Sequence, residues 1–156
     1  MKQPNQLTVL HCIFYIYHTF ALRSDGKLSE EEKRTISNFM YRWVGKDQIK
    51  MTNIINETLK WSQASIKSSN DQIGAMISMV EFLKSQTDFT IDRREYLLMD
   101  IRNIARSDGK FLEKQKKWHD MLANILGLEI RISQASCDDI DGAVKKVERR
   151  KIGFRR

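Results

Sequence analysis

The sequence predicts an all-α fold, a single helical bundle of about seven helices. Apolar residues recur at helical spacing almost throughout the chain. No segment alternates apolar and polar residues as a strand would, and no Asn-Gly hairpin signal occurs. The five residues Arg-Ser-Asp-Gly-Lys occur twice, at Arg23–Lys27 and Arg106–Lys110, each time between two helix-periodic segments. We therefore predict two pseudo-symmetric helix–Asp-Gly loop–helix repeats within the bundle.

Seven helices are predicted from the periodicity, and the first is the most apolar. In chain order they are Gln6–Leu22, Glu30–Val44, Asp47–Gln63, Asn70–Lys84, Asp92–Arg106, Glu113–Leu126 and Asp138–Lys151. The apolar run Leu7–Leu22 is shorter than the roughly 20 residues of a membrane span, so we expect a central core helix. The third and fourth helices should bridge the two copies, with the serine-rich run Ser62–Asn70 as an exposed turn.

Several helix ends carry local signals. Ser29 and Glu32 have the spacing of a capping box, in which each side chain accepts from the other residue's backbone N–H. Thr90 is an N-cap candidate for the fifth helix. Gly45 and Gly127 stand where glycines commonly end helices in a left-handed conformation. These signals predict where the helices of each copy begin and end.

The similarity between the copies extends beyond the five identical residues. Counted from the aspartates, the aligned pairs are Phe14 with Leu97, Ala21 with Ile104, Leu22 with Ala105, Leu28 with Phe111, Phe39 with Leu122, and Trp43 with Leu126. Asp25 and Asp108 can close a tight turn by accepting from backbone N–H groups ahead of them. Gly26 and Gly109 can take the positive φ that such a turn requires.

Charge is concentrated at the C-terminus. The chain has a formal net charge of +7, and residues 145–156 contain seven bases and one acid, which leaves +1 for residues 1–144. We predict a domain over 1–144 and a basic tail or helix end over 145–156. If the tail is more than a solvated charge run, it would bind a polyanion, either nucleic acid or an anionic membrane surface. The binding residues would then be Lys145, Lys146, Arg149, Arg150, Lys151, Arg155 and Arg156.

No pattern in the chain indicates catalysis or zinc binding. Cys12 and Cys137 do not make a disulfide framework, so a reducing, cytoplasmic compartment fits best. A phosphate-binding glycine loop and a serine elbow are both missing from the sequence. Residues 137–148 have some carboxylates at the spacing of a calcium-binding EF-hand loop, but Cys137 stands at its first position and Lys145 at its ninth. We therefore predict neither an enzyme nor an EF-hand.

Two stretches resemble the TerB-like tellurite-resistance family. The first runs from Ala21 to Glu32, through Arg-Ser-Asp-Gly-Lys-Leu, and the second from Ile104 to Phe111, leading to Gly127. Family members carry paired stretches of this kind at a similar separation, and a related domain forms the N-terminal part of DjlA-type membrane co-chaperones. The resemblance covers about residues 7–130. It implies an all-α bundle with internal pseudo-twofold symmetry and a non-enzymatic role in bacterial stress response, often beside membrane proteins.

The resemblance also implies a divalent cation as a possible ligand, because acidic residues of the family have been proposed to bind one. Matching the motif residue by residue gives Asp25 and Glu32 in the first copy and Asp108 in the second. Gln115 stands where the second copy's glutamate is expected, which departs from the family pattern. Capping and turn formation explain the same residues without a metal, so both interpretations stay open.

Together these observations predict a non-enzymatic TerB-like interaction module of a bacterial tellurite or stress-response system. Its partner would be a protein, with membrane association in keeping with the family, and its location cytoplasmic or peripheral to the inner membrane. The alternative function is polyanion binding through the basic tail.

Overall fold

The structure is a computed structural model that describes residues 7–25, 28–107 and 113–128, with the side chains of residues 23–25 outside the description. Within these ranges it contains six helices and no strand, which confirms the all-α prediction. The helices are α1 (Val9–Asp25), α2 (Glu30–Val44), α3 (Gln48–Ser65), α4 (Ser69–Ser85), α5 (Ile91–Arg106) and α6 (Glu113–Ile125). The predicted seventh helix, Asp138–Lys151, lies outside the described residues.

Helix α1 is the centre of the bundle and packs against each of the other five helices. Seven consecutive residues of α1, His11–Tyr17, are buried, because every side of the helix faces another helix. This confirms the prediction of a central core helix. None of the described helices combines the length and the apolar character needed to cross a bilayer.

The predicted helix ends are largely confirmed. Ser29 accepts from the Glu32 N–H at 3.1 Å, and Glu32 accepts from the Ser29 N–H at 3.0 Å, so the capping box of α2 is complete. Thr90 caps α5 by accepting from the backbone of its first turn. Gly45 and Gly127 have positive φ of +96° and +77°, a region in which side chains with a Cβ are strained, although the ψ of −173° places Gly45 outside the left-handed helical conformation.

The prediction of a long exposed turn over Ser62–Asn70 is wrong in extent. Helix α3 continues to Ser65 and α4 begins at Ser69, so only three residues connect them. The Ser68 side chain accepts from the Asp71 N–H at 3.1 Å and caps α4. Serine favours loops, but it also favours caps and helix ends, and several serines of this run take those places instead.

A buried polar pair connects α5 and α6. Arg102 and His119 are both fully buried, and an Arg102 guanidinium N–H donates to His119 Nε2 at 2.9 Å. Because Nε2 accepts, Nδ1 carries the proton and donates to Asp120 at 2.9 Å. Asp120 in turn pairs with Lys116 at 3.1 Å. This chain of polar contacts fixes how α6 sits on α5.

Candidate functional site

A cavity of about 430 Å³ opens between the start of α1, the end of α2 and α5. Its volume lies within the range of cavities that bind small molecules, and its walls combine apolar and charged groups. The lining residues are Val9, Leu10, Arg42, Trp43, Phe89, Arg93, Tyr96 and Asp100.

Two helices place most of these side chains. Arg42 and Trp43 belong to the last turn of α2, which Gly45 ends directly afterwards. Arg93, Tyr96 and Asp100 follow one another at i, i+3 and i+7, so they share one face of α5. The cavity therefore forms where the C-terminal end of α2 meets the first three turns of α5.

Asp100 forms the floor of this cavity and is fully buried. The Tyr17 hydroxyl donates to its Oδ2 at 2.5 Å, and the Trp43 indole N–H donates to the Tyr17 oxygen at 2.9 Å and to Oδ2 at 3.4 Å. Arg42 donates to the other carboxylate oxygen, Oδ1, and forms an ion pair with it. We call Tyr17, Arg42, Trp43 and Asp100 the Asp100 cluster.

The Asp100 cluster is electrostatically satisfied. Burial raises the pKa of Asp100 above its ordinary value, while the hydrogen bond from Tyr17 and the charge of Arg42 act in the opposite direction. Burial and the neighbouring Asp100 raise the pKa of Tyr17 well above its ordinary value, so its hydroxyl stays protonated. Because all the contacts of Asp100 in the cluster are donors, it accepts them as a carboxylate. The cluster holds Arg42 in place.

Aromatic rings build the walls of the cavity. Trp43 and Phe89 stack with ring centroids 5.9 Å apart and planes 18° apart. The Arg42 guanidinium lies 4.8 Å from the centre of the Phe39 ring, so it is held from one side by a cation–π contact and from the other by Asp100. Its side chain is 48% exposed, which leaves part of the guanidinium open.

A second cavity, of about 710 Å³, shares Val9 and Leu10 with the first. Here the Thr8 backbone N–H donates to His11 Nδ1 at 3.0 Å, and the Thr8 hydroxyl lies 2.8 Å from the same nitrogen. His11 Nε2 therefore carries the proton and donates to Glu57 at 2.8 Å. A hydroxyl, an imidazole and a carboxylate in series can activate a nucleophile, but here the backbone N–H also engages the accepting nitrogen. The arrangement is that of a helix cap in which His11 takes the place of the glutamate of a capping box.

The residues predicted to bind a metal are only partly described. Glu32 is fully buried and engaged in the capping box. Asp25 is the last residue of α1, its side chain lies outside the description, and Asp108 lies outside the described residues. Among the described side chains, those of 7–22, 28–107 and 113–128, no three His, Cys, Asp or Glu are grouped to hold a metal ion. The metal site stays a prediction. The basic residues from Lys145 to Arg156 also lie outside the described part of the chain.

The Asp100 cluster was not predicted from the sequence. One signal was available: Asp100 lies on the apolar face formed by Leu97, Leu98, Ile101 and Ile104, so an ionisable residue had to be buried there. A second signal was the repeat itself. Tyr17 and Asp100 are 83 residues apart, the same separation as the two copies, so they occupy equivalent positions in the two copies.

No protein-family model, curated protein or solved structure matches this chain.

Proposed function

We propose that the protein is a non-enzymatic TerB-like binding module and that the cavity above Asp100 is its binding site. The observation that carries this proposal is the Asp100 cluster, in which a buried carboxylate and a protonated tyrosine hold a half-exposed arginine at a cavity wall. Such a network orients a binding group at the cavity wall. The stress-response role and the location beside the inner membrane rest on the resemblance.

The position of the helices supports the two-copy architecture. Helices α2 and α6 each begin five residues after the aspartate of their copy. Three residues of α2 are buried, and each corresponds, 83 residues later, to a buried residue of α6: Glu32 to Gln115, Ile36 to His119, and Met40 to Ala123. This agreement is informative because both helices are amphipathic and could have buried other positions.

The hydrogen bond between Tyr17 and Asp100 supports a pseudo-twofold relation between the copies. The two residues occupy equivalent positions, and they bond to each other at 2.5 Å. Equivalent residues of two symmetry-related units meet only where the axis passes between them. A pseudo-twofold axis between α1 and α5 would account for this contact and for the corresponding contacts of α2 with α5 and of α6 with α1.

A fragment screen on the ¹⁵N-labelled full chain tests the binding site without assuming a ligand. The readout is the indole N–H resonance of Trp43, assigned with Trp43→Phe, while the indole of Trp61 on α3 serves as the internal control. We expect bound fragments to shift the Trp43 signal and to leave the Trp61 signal in place. Fragments that bind only elsewhere would reject the cavity as the site.

The cation hypothesis belongs to the same proposal and has its own test. Two Asp-Gly pairs at equivalent positions of the sequence support it, since hard cations take carboxylate oxygens. Added Ca²⁺ or Mg²⁺ should raise the melting temperature, because a ligand of the native state stabilises it, and Asp25→Asn should abolish the shift. A melting temperature that no hard cation changes would leave Asp25 and Asp108 as turn residues.

Polyanion binding through the tail is the second candidate function. Its supporting observation is that residues 145–156 hold a net charge of +6 out of the chain's +7. Binding to anionic vesicles or DNA should weaken steeply with salt and be lost in a chain truncated after residue 144. Equal binding by the full and the truncated chain would exclude the tail as the anchor.

A further inference from the structure

We propose that the cavity above Asp100 binds a small organic monoanion, a carboxylate on an aromatic or apolar body, with Arg42 and Arg93 as its anchors. This inference rests on the proposed function and names the ligand class of the same site. The charges of the lining residues, the way Arg42 is held and the aromatic walls each support it.

The charges at the cavity favour a single negative charge on the ligand. Two arginines and one aspartate are the charged residues that line it. Asp100 already pairs with Arg42, so the lining carries a surplus of one positive charge. A monoanion matches that surplus, a dianion exceeds it, and a cation would meet two guanidinium groups.

Arg42 is oriented before any ligand arrives. Its described contacts are one N–H to Asp100 and the face of the Phe39 ring, out of the five N–H donors that a guanidinium offers. Because Asp100 is itself held by Tyr17 and Trp43, the guanidinium cannot swing freely. Preorganised donors lose little entropy on binding, and the planar arginine fork suits a carboxylate.

Arg93 provides the second cationic group. It is exposed, and one of its N–H groups donates to the Asp88 carbonyl at 3.0 Å, which ties its side chain to the turn before α5. This hydrogen bond uses one of the five guanidinium N–H donors of Arg93. Arg93 and Arg42 come from different helices and line the same cavity, so an anion there can bind both.

The remaining walls suit an apolar body. Trp43 and Phe89 present stacked rings, and Val9, Leu10 and Tyr96 complete the lining. A volume of about 430 Å³ has room for a ligand the size of a bicyclic aromatic acid. An inorganic anion would use the arginines and leave these apolar surfaces uncovered.

Matched naphthalene probes test the charge requirement directly. We would titrate the full chain with 2-naphthoate, with neutral 2-naphthalenemethanol and with 2-naphthyl phosphate, and follow the Trp43 and Trp61 indole resonances together with calorimetric affinity. We expect 2-naphthoate to shift Trp43 alone and to bind at least about tenfold more tightly than the alcohol, as a charge-assisted pair would give. The phosphate should bind less tightly than the carboxylate.

Arginine variants then locate the anchor. Arg42→Gln and Arg93→Gln should each weaken 2-naphthoate by about tenfold and leave the alcohol unchanged, whereas Arg34→Gln, an exposed arginine of α2 paired with Glu31, should change neither. Arg93→Gln keeps the test informative if Arg42→Gln destabilises the fold. Equal binding of carboxylate and alcohol, tighter binding of the phosphate, or unchanged affinity in both variants would overturn the inference. If instead a neutral or cationic fragment binds the cavity more tightly than 2-naphthoate, the binding site stands and only its ligand class is wrong.

Discussion

The two sequence copies differ most where their second helices end. In the first copy the last turn of α2 carries Arg42 and Trp43, which reach the Asp100 floor and line a cavity. The equivalent residues of the second copy are Ile125 and Leu126, and Leu126 is fully buried in the core. The equivalent helix therefore ends at an open polar cavity in the first copy and in a closed apolar contact in the second.

This difference distinguishes the positions that the shared helix packing requires from the positions that the cavity requires. The three buried positions of α2 are also buried in α6, because both helices must cover the core. The helix ends are less constrained, since each can be closed by apolar packing or left open over a polar network. Both copies line the cavity: the first contributes Arg42 and Trp43, and the second contributes Arg93, Tyr96 and the Asp100 floor.

The largest expected effect is the loss of packing at the second copy's helix end. Leu126→Ala should lower the free energy of unfolding by about 3 kcal/mol, because it opens a void in a buried region. Trp43→Leu, which puts the second copy's residue into the first, should cost only about 1–2 kcal/mol through lost hydrogen bonds. Urea unfolding measures both. If the two changes cost the same, the two helix ends are equally part of the core.

Removing Arg42, the cation of the Asp100 cluster, should cause the next largest loss in the free energy of unfolding. Arg42→Ile gives the first copy the residue of the second and leaves a buried carboxylate without its ion pair. We expect a loss of about 2 kcal/mol, less than the cost of breaking a fully buried pair, because Arg42 is half exposed. The double variant Arg42→Ile/Asp100→Leu should recover part of this loss in the same unfolding experiment. A double variant no more stable than the single one would show that the charge of Asp100 is not the cause.

Removing the capping box of the first copy should lower the free energy of unfolding by a smaller amount. Ser29→Ala should cost about 1 kcal/mol, the usual value for an N-cap, because the Glu32 N–H loses its acceptor. The matched control is Asn38→Ala, an exposed change within α2, which should leave thermal stability unchanged or slightly higher, since alanine is the better helix former. Equal effects of the two substitutions would mean that α2 does not depend on its cap.

The smallest expected effect is on the pH dependence of stability. His18 is equivalent to the fully buried Ile101 of the second copy, and burial lowers the pKa of His18 below its ordinary value of 6.5. Below pH 6.5 the unfolded chain therefore binds a proton that the folded chain resists, so stability is lost as pH falls from 6.5 towards the folded pKa. Urea unfolding between about pH 5 and 7 should show a smaller decline for His18→Ile than for the natural chain. Parallel declines would assign the acid sensitivity to other groups.

Helix positions were predictable because their signals are local. The capping box at Ser29, the Thr90 cap and the two positive-φ glycines are each determined by residues within one or two turns. The serine-rich run before α4 was harder, because the same residues favour loops, caps and helix ends, and the packing of α3 decided between them. The apolar run of α1 indicated its central place, since a helix that is apolar on all sides must be buried.

The sequence by itself determined the all-α class, most helix ends and the burial of the apolar faces, because periodicity and capping depend on near neighbours in the chain. Only the tertiary structure decided that Tyr17, Arg42 and Asp100 meet. Periodicity shows that a face is buried, but it does not show which distant residue lies opposite. A buried aspartate needs donors from other helices, and the packing of α1 and α2 on α5 is what supplies them.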